Sequence, residues 1–294
     1  MNLSLRHPRP TRTATIAIAS AAAGIALAVP GLAVATNSGQ SVPPPPATPT
    51  SASQIQNIDQ VKIAIKAYYG DTVTSVVDPV PDGQDVSYAN DTVAAPLHQL
   101  NPDGAYAHET EGIAAGAGDY LARQAHKKHD GQKAILFDID DTSLNTYSYE
   151  IYSNFVFNPT TNGFFVNAGS ADVFPAVPGM VDLEQEAIDE GYTVFFLTGR
   201  PEAQRTGTES NLSDAGYTID TANVYLKDET QPWITCDTEG DKVCTTTERK
   251  SQTRAHIESL GYDIVANFGD QFNDLAGGFA DRTFKIPNPM YFLS

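Results

Sequence analysis

Four short stretches carry the residues whose types and spacing could do chemistry. The first is Asp138-Ile139-Asp140-Asp141-Thr142. Alternate residues of a chain leaving a strand point to the same side, so Asp138 and Asp140 can present two carboxylates to one space. Two unpaired carboxylates that close repel, and one of them then holds its proton more tightly. A divalent cation or a shared proton relieves the repulsion. With a cation on Asp138, that carboxylate stays ionised as a nucleophile, while Asp140 can give and later take a proton. A calcium loop is excluded: counting from Asp138, the sixth position is Ser143 rather than Gly and the twelfth is Tyr149 rather than Glu. A solvated Asp-rich turn is the plain alternative.

The other three stretches follow downstream. Thr198 offers a hydroxyl and Gly199 leaves room for close backbone approach, which suits donors to a phosphoryl oxygen, although an ordinary strand-to-helix turn would look the same. Thr245 to Glu248 has the spacing of a helix capping box, which puts Arg249 and Lys250 in or near the first turn. Positive charge there opposes the helix dipole, a penalty expected where an ammonium faces an anion and also common for an exposed lysine. Gly269-Asp270-Gln271-Phe272-Asn273-Asp274 adds two acids; if a helix begins at Asp270, both lie on its crevice-facing side. Asp138, Asp140, Asp270 and Asp274 brought together would need Mg²⁺ or a similar hard cation, and oxygen-only ligands argue against zinc or copper.

The elements that must position these residues are equally visible. Ala134 to Phe137 runs into Asp138, Val194 to Leu197 into Thr198-Gly199-Arg200, and Ile264 to Phe268 into Gly269-Asp270. Short apolar runs alternating with amphipathic segments predict an α/β domain with a parallel sheet, and ligands of such sheets bind outside the carboxyl ends of the strands. Upstream, Ile58, Val61, Ile65 and Tyr68 predict one helix and Ile113, Ala117, Tyr120, Leu121 and Gln124 a second, with Asp71 to Gly104 rich in Asp, Pro and Gly between them.

In this order, the Asp138-Ile-Asp140-Asp-Thr142 segment, Thr198, Lys250 and Gly269-Asp270 through Asp274 resemble the four motifs of the haloacid dehalogenase (HAD) superfamily of phosphohydrolases. Residues 135–149, Phe195 to Glu202 with Arg205, Asn267 to Gln271 and Phe284 to Tyr291 are similar to its secreted acid phosphatases of the plant-type and bacterial class C group. The resemblance runs from about Lys133 to the C-terminus. It implies a HAD-like Rossmannoid three-layer α/β/α sandwich with a small, mostly helical cap. It further implies that Asp138 is the nucleophile and Asp140 the acid and base, and that Thr198, Gly199 and Lys250 hold the phosphoryl group. Mg²⁺ would sit on Asp138, the backbone carbonyl of Asp140 and Asp270, with Asp274 in support. Asp141 and Ser143 depart from the class C pattern, which typically has Glu and an apolar residue at these positions. The implied activity is hydrolysis of small phosphomonoesters under acidic conditions. Related storage proteins commonly lack the nucleophile, which is present here, and transfer to an alcohol instead of water would use the same residues.

The rest of the chain bounds its setting. Lys and Arg number 18 against 36 Asp and Glu, a net charge of −18 that disfavours nucleic-acid and membrane phosphates as partners. Arg6, Arg9 and Arg12 precede an apolar stretch from Ala14 to Val29 and a small-residue Ala33-Val34-Ala35 site, so residues 1–35 read as a secretory signal peptide, or a membrane anchor if uncleaved. Residues 36–53 read as a Pro-rich linker, 54–131 as a helical segment, and 132–294 as the catalytic domain with a cap insertion at about 146–178. Cys236 and Cys244 predict a disulfide stabilising the fold by roughly 2.5 kcal/mol. Eight aromatics between Tyr147 and Phe174 either form the cap's own core or stack on a nucleobase or aryl leaving group, as in nucleoside monophosphates or aryl phosphates. No histidine has a metal-ligand spacing, and His126 and His129 read as partners of a helix end.

Overall fold

The computed structural model describes residues 57–84, 96–236 and 244–293. The signal-peptide and linker readings therefore lie outside the described residues. In chain order, α1 (Ile58–Tyr69), β1 (Thr72–Val77), β2 (Pro96–Gln99) and α2 (Ala105–Ala125) lead to the first apolar run, β3 (Gln132–Phe137). Then come α3 (Tyr147–Tyr152), α4 (Pro159–Asn167), α5 (Met180–Asp189), β4 (Thr193–Pro201), α6 (Arg205–Asp214) and β5 (Val224–Lys227). The chain finishes with α7 (Thr246–Ser259), β6 (Tyr262–Gly269), α8 (Phe272–Leu275) and β7 (Arg282–Lys285).

Five strands form one sheet in the order β5-β4-β3-β6-β7, with every neighbouring pair parallel. Parallel strands covered on both faces must be apolar throughout, which is why the three runs read as continuous rather than alternating. On one face Ile135, Phe137, Phe196 and Phe268 pack with Leu121 of α2 and Leu183 of α5. On the other, Ala134, Leu136, Phe195 and Leu197 pack with Ile257 of α7. The result is the expected three-layer α/β/α arrangement. Register sets the function: Phe137 lies opposite both Phe196 and Phe268, so Asp138, Thr198 and Asp270 leave the sheet at one end of three adjacent strands.

The segment before the sheet holds more than helices. β1 and β2 form a separate antiparallel pair, with Thr72 opposite Gln99. Val73 and Val77 are exposed, so no buried period marked this stretch as strand. Of the stripe that predicts α1, Ile65 is buried, whereas Ile58 and Val61 face outward. Tyr69, at the end of α1, stacks on Tyr106 of α2 at 4.3 Å and on Tyr147 at 4.6 Å between ring centroids. Stacked aromatic pairs of this kind add about 1 kcal/mol beyond burial. The N-terminal helices are thus tied to the loop that follows Asp138.

Cys236 and Cys244 are joined in a disulfide. Among the described residues no helix is long and apolar enough to cross a membrane.

Candidate active site

Asp138 follows β3 directly, and its backbone N–H donates to Phe268 of the neighbouring strand at 3.0 Å. Its carbonyl accepts from the Ser143 hydroxyl at 2.7 Å, which closes the loop beneath the carboxylate. Asp141 takes the left-handed backbone at φ 54, where an Asp is tolerated better than most residues. Its buried carboxylate accepts from the Thr146 N–H and hydroxyl and from the Tyr291 hydroxyl at 2.8 Å. Asp141 is therefore a structural pin of the loop, which explains why this position needs a carboxylate but need not reach the crevice.

The capping box predicted for α7 forms: the Thr245 side chain accepts from the Glu248 N–H, and the Glu248 side chain accepts from that of Thr245. This orients the first turn so that Lys250 points inward. Its ammonium donates to Asp138 at 2.5 Å and to Asp274 at 2.6 Å, all three side chains being buried. The cost of a cation at a helix N-terminus is thereby offset by two anions. These carboxylates also hold the Lys250 ammonium above its ordinary range.

Asp270 directly follows β6, and the short α8 begins two residues later than the helix expected at Asp270. Asp274 still returns to the crevice, because its carboxylate accepts from the Gln271 N–H at 2.8 Å. Gly269 is required here: a Cβ would come within 2.5 Å of the Asp274 Cβ. Ligand oxygens of Asp138, Asp270 and Asp274 lie within 4.8 Å of one another, and all three residues are buried. Burial and mutual repulsion push Asp138 well above the ordinary carboxylate range, and Asp270 up to about 7. One ammonium against three crowded carboxylates leaves net negative charge, so the set of hard oxygen donors fits a divalent cation. Asp140, by contrast, turns its carboxylate away from this trio and toward Arg200.

Thr198 is buried at the end of β4 and its hydroxyl accepts from the Arg200 N–H at 3.1 Å. Gly199 borders open space. Arg200 is a residue that spacing alone did not single out. Its guanidinium grips Asp140 at 2.7 and 3.1 Å, and its other nitrogen donates to Thr208 of α6. The only sequence signal was the arginine closing Thr-Gly-Arg. Asn288 and Gln271 side-chain amides both donate to Asp270, a second group that spacing did not reveal.

The chain matches the family model described as HAD superfamily, subfamily IIIB (acid phosphatase), over residues 85–294. It belongs to that family. Acid phosphatase 1 of Solanum lycopersicum is 35% identical over 192 residues, which cover 64% of this chain and 69% of that protein. The stem 28 kDa glycoprotein of Glycine max is 33% identical over 54% of this chain and 59% of its own length. Vegetative storage protein 2 of Arabidopsis thaliana is 29% identical over 59% and 62%. Among solved structures, the class C acid phosphatase of Bacillus anthracis is 19% identical, covers 63% of this chain and 80% of its own, and superposes with a TM-score of 0.49. By its family the molecule is a phosphomonoester hydrolase.

Most of the acid phosphatase's aromatics between 147 and 174 pack inward. Tyr149 and Phe174 both lie against Phe165, whereas Phe157 is exposed. His129 corrects the reading of the histidines. Its Nε2 meets the Gln124 carbonyl in the last turn of α2, as a helix-end partner should, but Nδ1 also lies 2.9 Å from Asp263. His129, Asp263 and Asp281 bring ligand atoms within 4.8 Å of one another, a proximity hidden by their separation in sequence. Asp263 sits at the start of β6, the end of the strand remote from the crevice.

Glu150 of α3 is buried, and burial together with the charges of Asp141 and Asp140 pushes it up to about 8. Burial alone raises Glu184 of α5, to about 7, against the hydrogen bond that its carboxylate accepts from the Thr218 N–H. An unfolded glutamate releases its proton near pH 4.5, so between that value and about 8 the native chain holds a proton the unfolded chain has lost, and stability falls as pH rises. Each tenfold change in proton affinity is worth about 1.4 kcal/mol. The native protein should therefore lose roughly 3 kcal/mol more than Glu150→Gln between pH 5 and pH 8. Urea unfolding at both pH values checks this, and equal losses in the two proteins would sink the assignment.

Proposed function

We propose that this acid phosphatase is exported and Mg²⁺-dependent, and hydrolyses phosphomonoesters through a phosphoryl group carried on Asp138. The observation that supports the reading best is the buried Asp138–Lys250–Asp274 contact at the ends of three parallel strands. There a nucleophilic oxygen, a phosphate-binding ammonium and an acidic ligand set meet. Mg²⁺, when held by Asp138, the Asp140 carbonyl and Asp270 with Asp274 in support, supplies neutralisation of the phosphoryl oxygens. Asp138 attacks phosphorus as the bond to the leaving oxygen breaks, and Lys250, the Thr198 hydroxyl and the Gly199 backbone hold the transferring group. Asp140 gives its proton to the leaving oxygen, then takes one from the water that attacks the aspartyl-phosphate and frees inorganic phosphate. Arg200 grips the Asp140 carboxylate and so sets its orientation for both steps. Residues 146–178 serve as the cap, and the small outward aromatic surface favours aryl phosphates or nucleoside monophosphates as substrates. The disulfide supports an oxidising compartment, consistent with residues 1–35 as an export signal.

The test is phosphate release from aryl phosphates and nucleoside monophosphates, with Mg²⁺ and after chelation. Release should fall at least about 100-fold on chelation and return with added Mg²⁺. Undiminished release in chelator would remove the metal from the reading. No release under any condition would favour a storage role, the function named for two of the Arabidopsis relatives.

A further inference from the structure

The α7 face of the sheet carries a second feature, away from the carboxylate cluster. Beyond the edge strand β5, a small surface pocket is lined by Tyr225, Trp233 and Arg249 together with Glu202, Arg205 and Asp228. Arg249 is only 5% exposed, and its Nε has no hydrogen-bond partner among the described residues. The Trp233 indole Nε1 is likewise buried and unpaired among the described residues. A buried guanidinium N–H without an acceptor is costly, about 1–3 kcal/mol or more, and both residues that carry these donors line the same pocket.

The acids around the pocket do not meet this demand. Glu202 is held by Arg205 at 2.5 Å. Asp228 accepts from Thr230 and Gln231. Glu229, the charge that acts on Arg249 from nearby, pairs with Lys227 at 3.7 Å. Burial holds the Arg249 guanidinium below its ordinary range, as expected of a cation with no close counter-ion. Arg249 also sits in the first turn of α7, where the helix dipole adds to its pull on negative charge. Both unpaired groups are donors only, so the missing partner supplies acceptors, and the guanidinium selects one that is charged.

We propose that this pocket is an oxyanion-binding site, taking a phosphate or carboxylate group between Arg249 and Trp233, distinct from the phosphoryl site at Lys250. Successive residues of a helix point about 100° apart, so Lys250 turns to the crevice while its neighbour Arg249 serves this second pocket. The oxyanion comes either from solution, as free inorganic phosphate, or from a second anionic group on the substrate.

Trp233 is the one tryptophan of the chain, so its fluorescence reports the pocket directly. Inorganic phosphate is titrated at fixed pH against chloride of matched ionic strength, in the native protein and in Arg249→Met, Arg249→Gln and Lys250→Met. A saturable change is expected in the native protein and in Lys250→Met, with the midpoint at least tenfold weaker in both Arg249 variants. Thermal melts run alongside verify folding, and phosphate should raise the melting temperature in Lys250→Met, and raise it less in the Arg249 variants, which keep only the crevice at Lys250, than in the native protein. No fluorescence change, a change that survives both Arg249 substitutions, or one lost only with Lys250 would overturn the proposal. The source is read from turnover by Arg249→Gln of a phosphomonoester with and without a second phosphate. A selective fall in kcat/KM for the doubly charged ester assigns the site to substrate, and equal values beside retained native phosphate binding assign it to the free ion. Because binding is read independently of turnover, failure here leaves the catalytic reading standing.

Discussion

Asp138→Asn should lower phosphate release by at least about 10⁴-fold while leaving the protein folded. An amide cannot act as the attacking oxygen, and no other carboxylate of this cluster can replace it: Asp140 is gripped by Arg200, and Asp270 and Asp274 are held by amides and by Lys250. The stability of the same variant separates chemistry from misfolding. Asp138 is pushed well above its ordinary range by burial and by Asp274 and Asp270, so a neutral amide removes repulsion that the metal-free protein must otherwise bear. Lys250 keeps Asp274 as a partner. The metal-free variant should therefore melt at or above the native temperature, and the stabilisation by Mg²⁺ should shrink. Single-turnover assays and melts with and without Mg²⁺ check both halves. Retained turnover would move the nucleophile elsewhere, and a collapsed melt would make the loss uninformative about chemistry.

The largest effect on stability is expected at Arg254. This side chain of α7 is fully buried, and the charges of Asp274 and Glu258 act on it from nearby. Its fork donates to three backbone carbonyls: Asp274 at 2.7 Å, Gly278 at 2.8 Å, and Ala276. These belong to the end of α8 and the turn after it, so Arg254 closes off carbonyls that no helical N–H reaches. Arg254→Ala opens a cavity in place of a fully buried side chain and takes a donor from each of these carbonyls, with only Asp274 keeping another, the Asn267 amide, at a cost of about 3–5 kcal/mol, or roughly 10 °C in melting temperature for a domain of this size. Arg254→Lys should rescue little, because one ammonium cannot span the three acceptors that the planar fork meets. Loss of the turn also frees Asp274, so Mg²⁺ affinity should fall with stability. Urea unfolding and a Mg²⁺ titration of the thermal melt test this, and full rescue by lysine would show that charge rather than geometry holds the turn.

What could be read from the chain depended on how local the cause was. β3, β4 and β6 were legible because each apolar run ends in the polar residue it delivers, and α7 because Thr245 and Glu248 are a self-contained cap. The common edge of Asp138, Thr198 and Asp270 followed from strand ends in a parallel sheet, whereas Lys250 and Asp274 come from the helices α7 and α8. The grip of Arg200 on Asp140 was not legible, since a pair 60 residues apart leaves no spacing pattern. Nor was the β1–β2 pair, whose outward valines show no buried alternation. The aromatics after Asp138 could not be apportioned, because Tyr147 finds its partner on α1 rather than within the cap.

The strand ends are braced from the far end of the chain. Tyr291 reaches Asp141, Asn288 reaches Asp270, and Leu293 exchanges hydrogen bonds with Gln271 and Asn273. During synthesis, the loop bearing Asp138 emerges about 150 residues before this brace does, separated from it by most of the sheet. A nascent or truncated chain thus carries every motif of the reaction without the frame that holds the acids apart. Asn288, Tyr291 and Leu293 must be in place before these acids are held in this geometry.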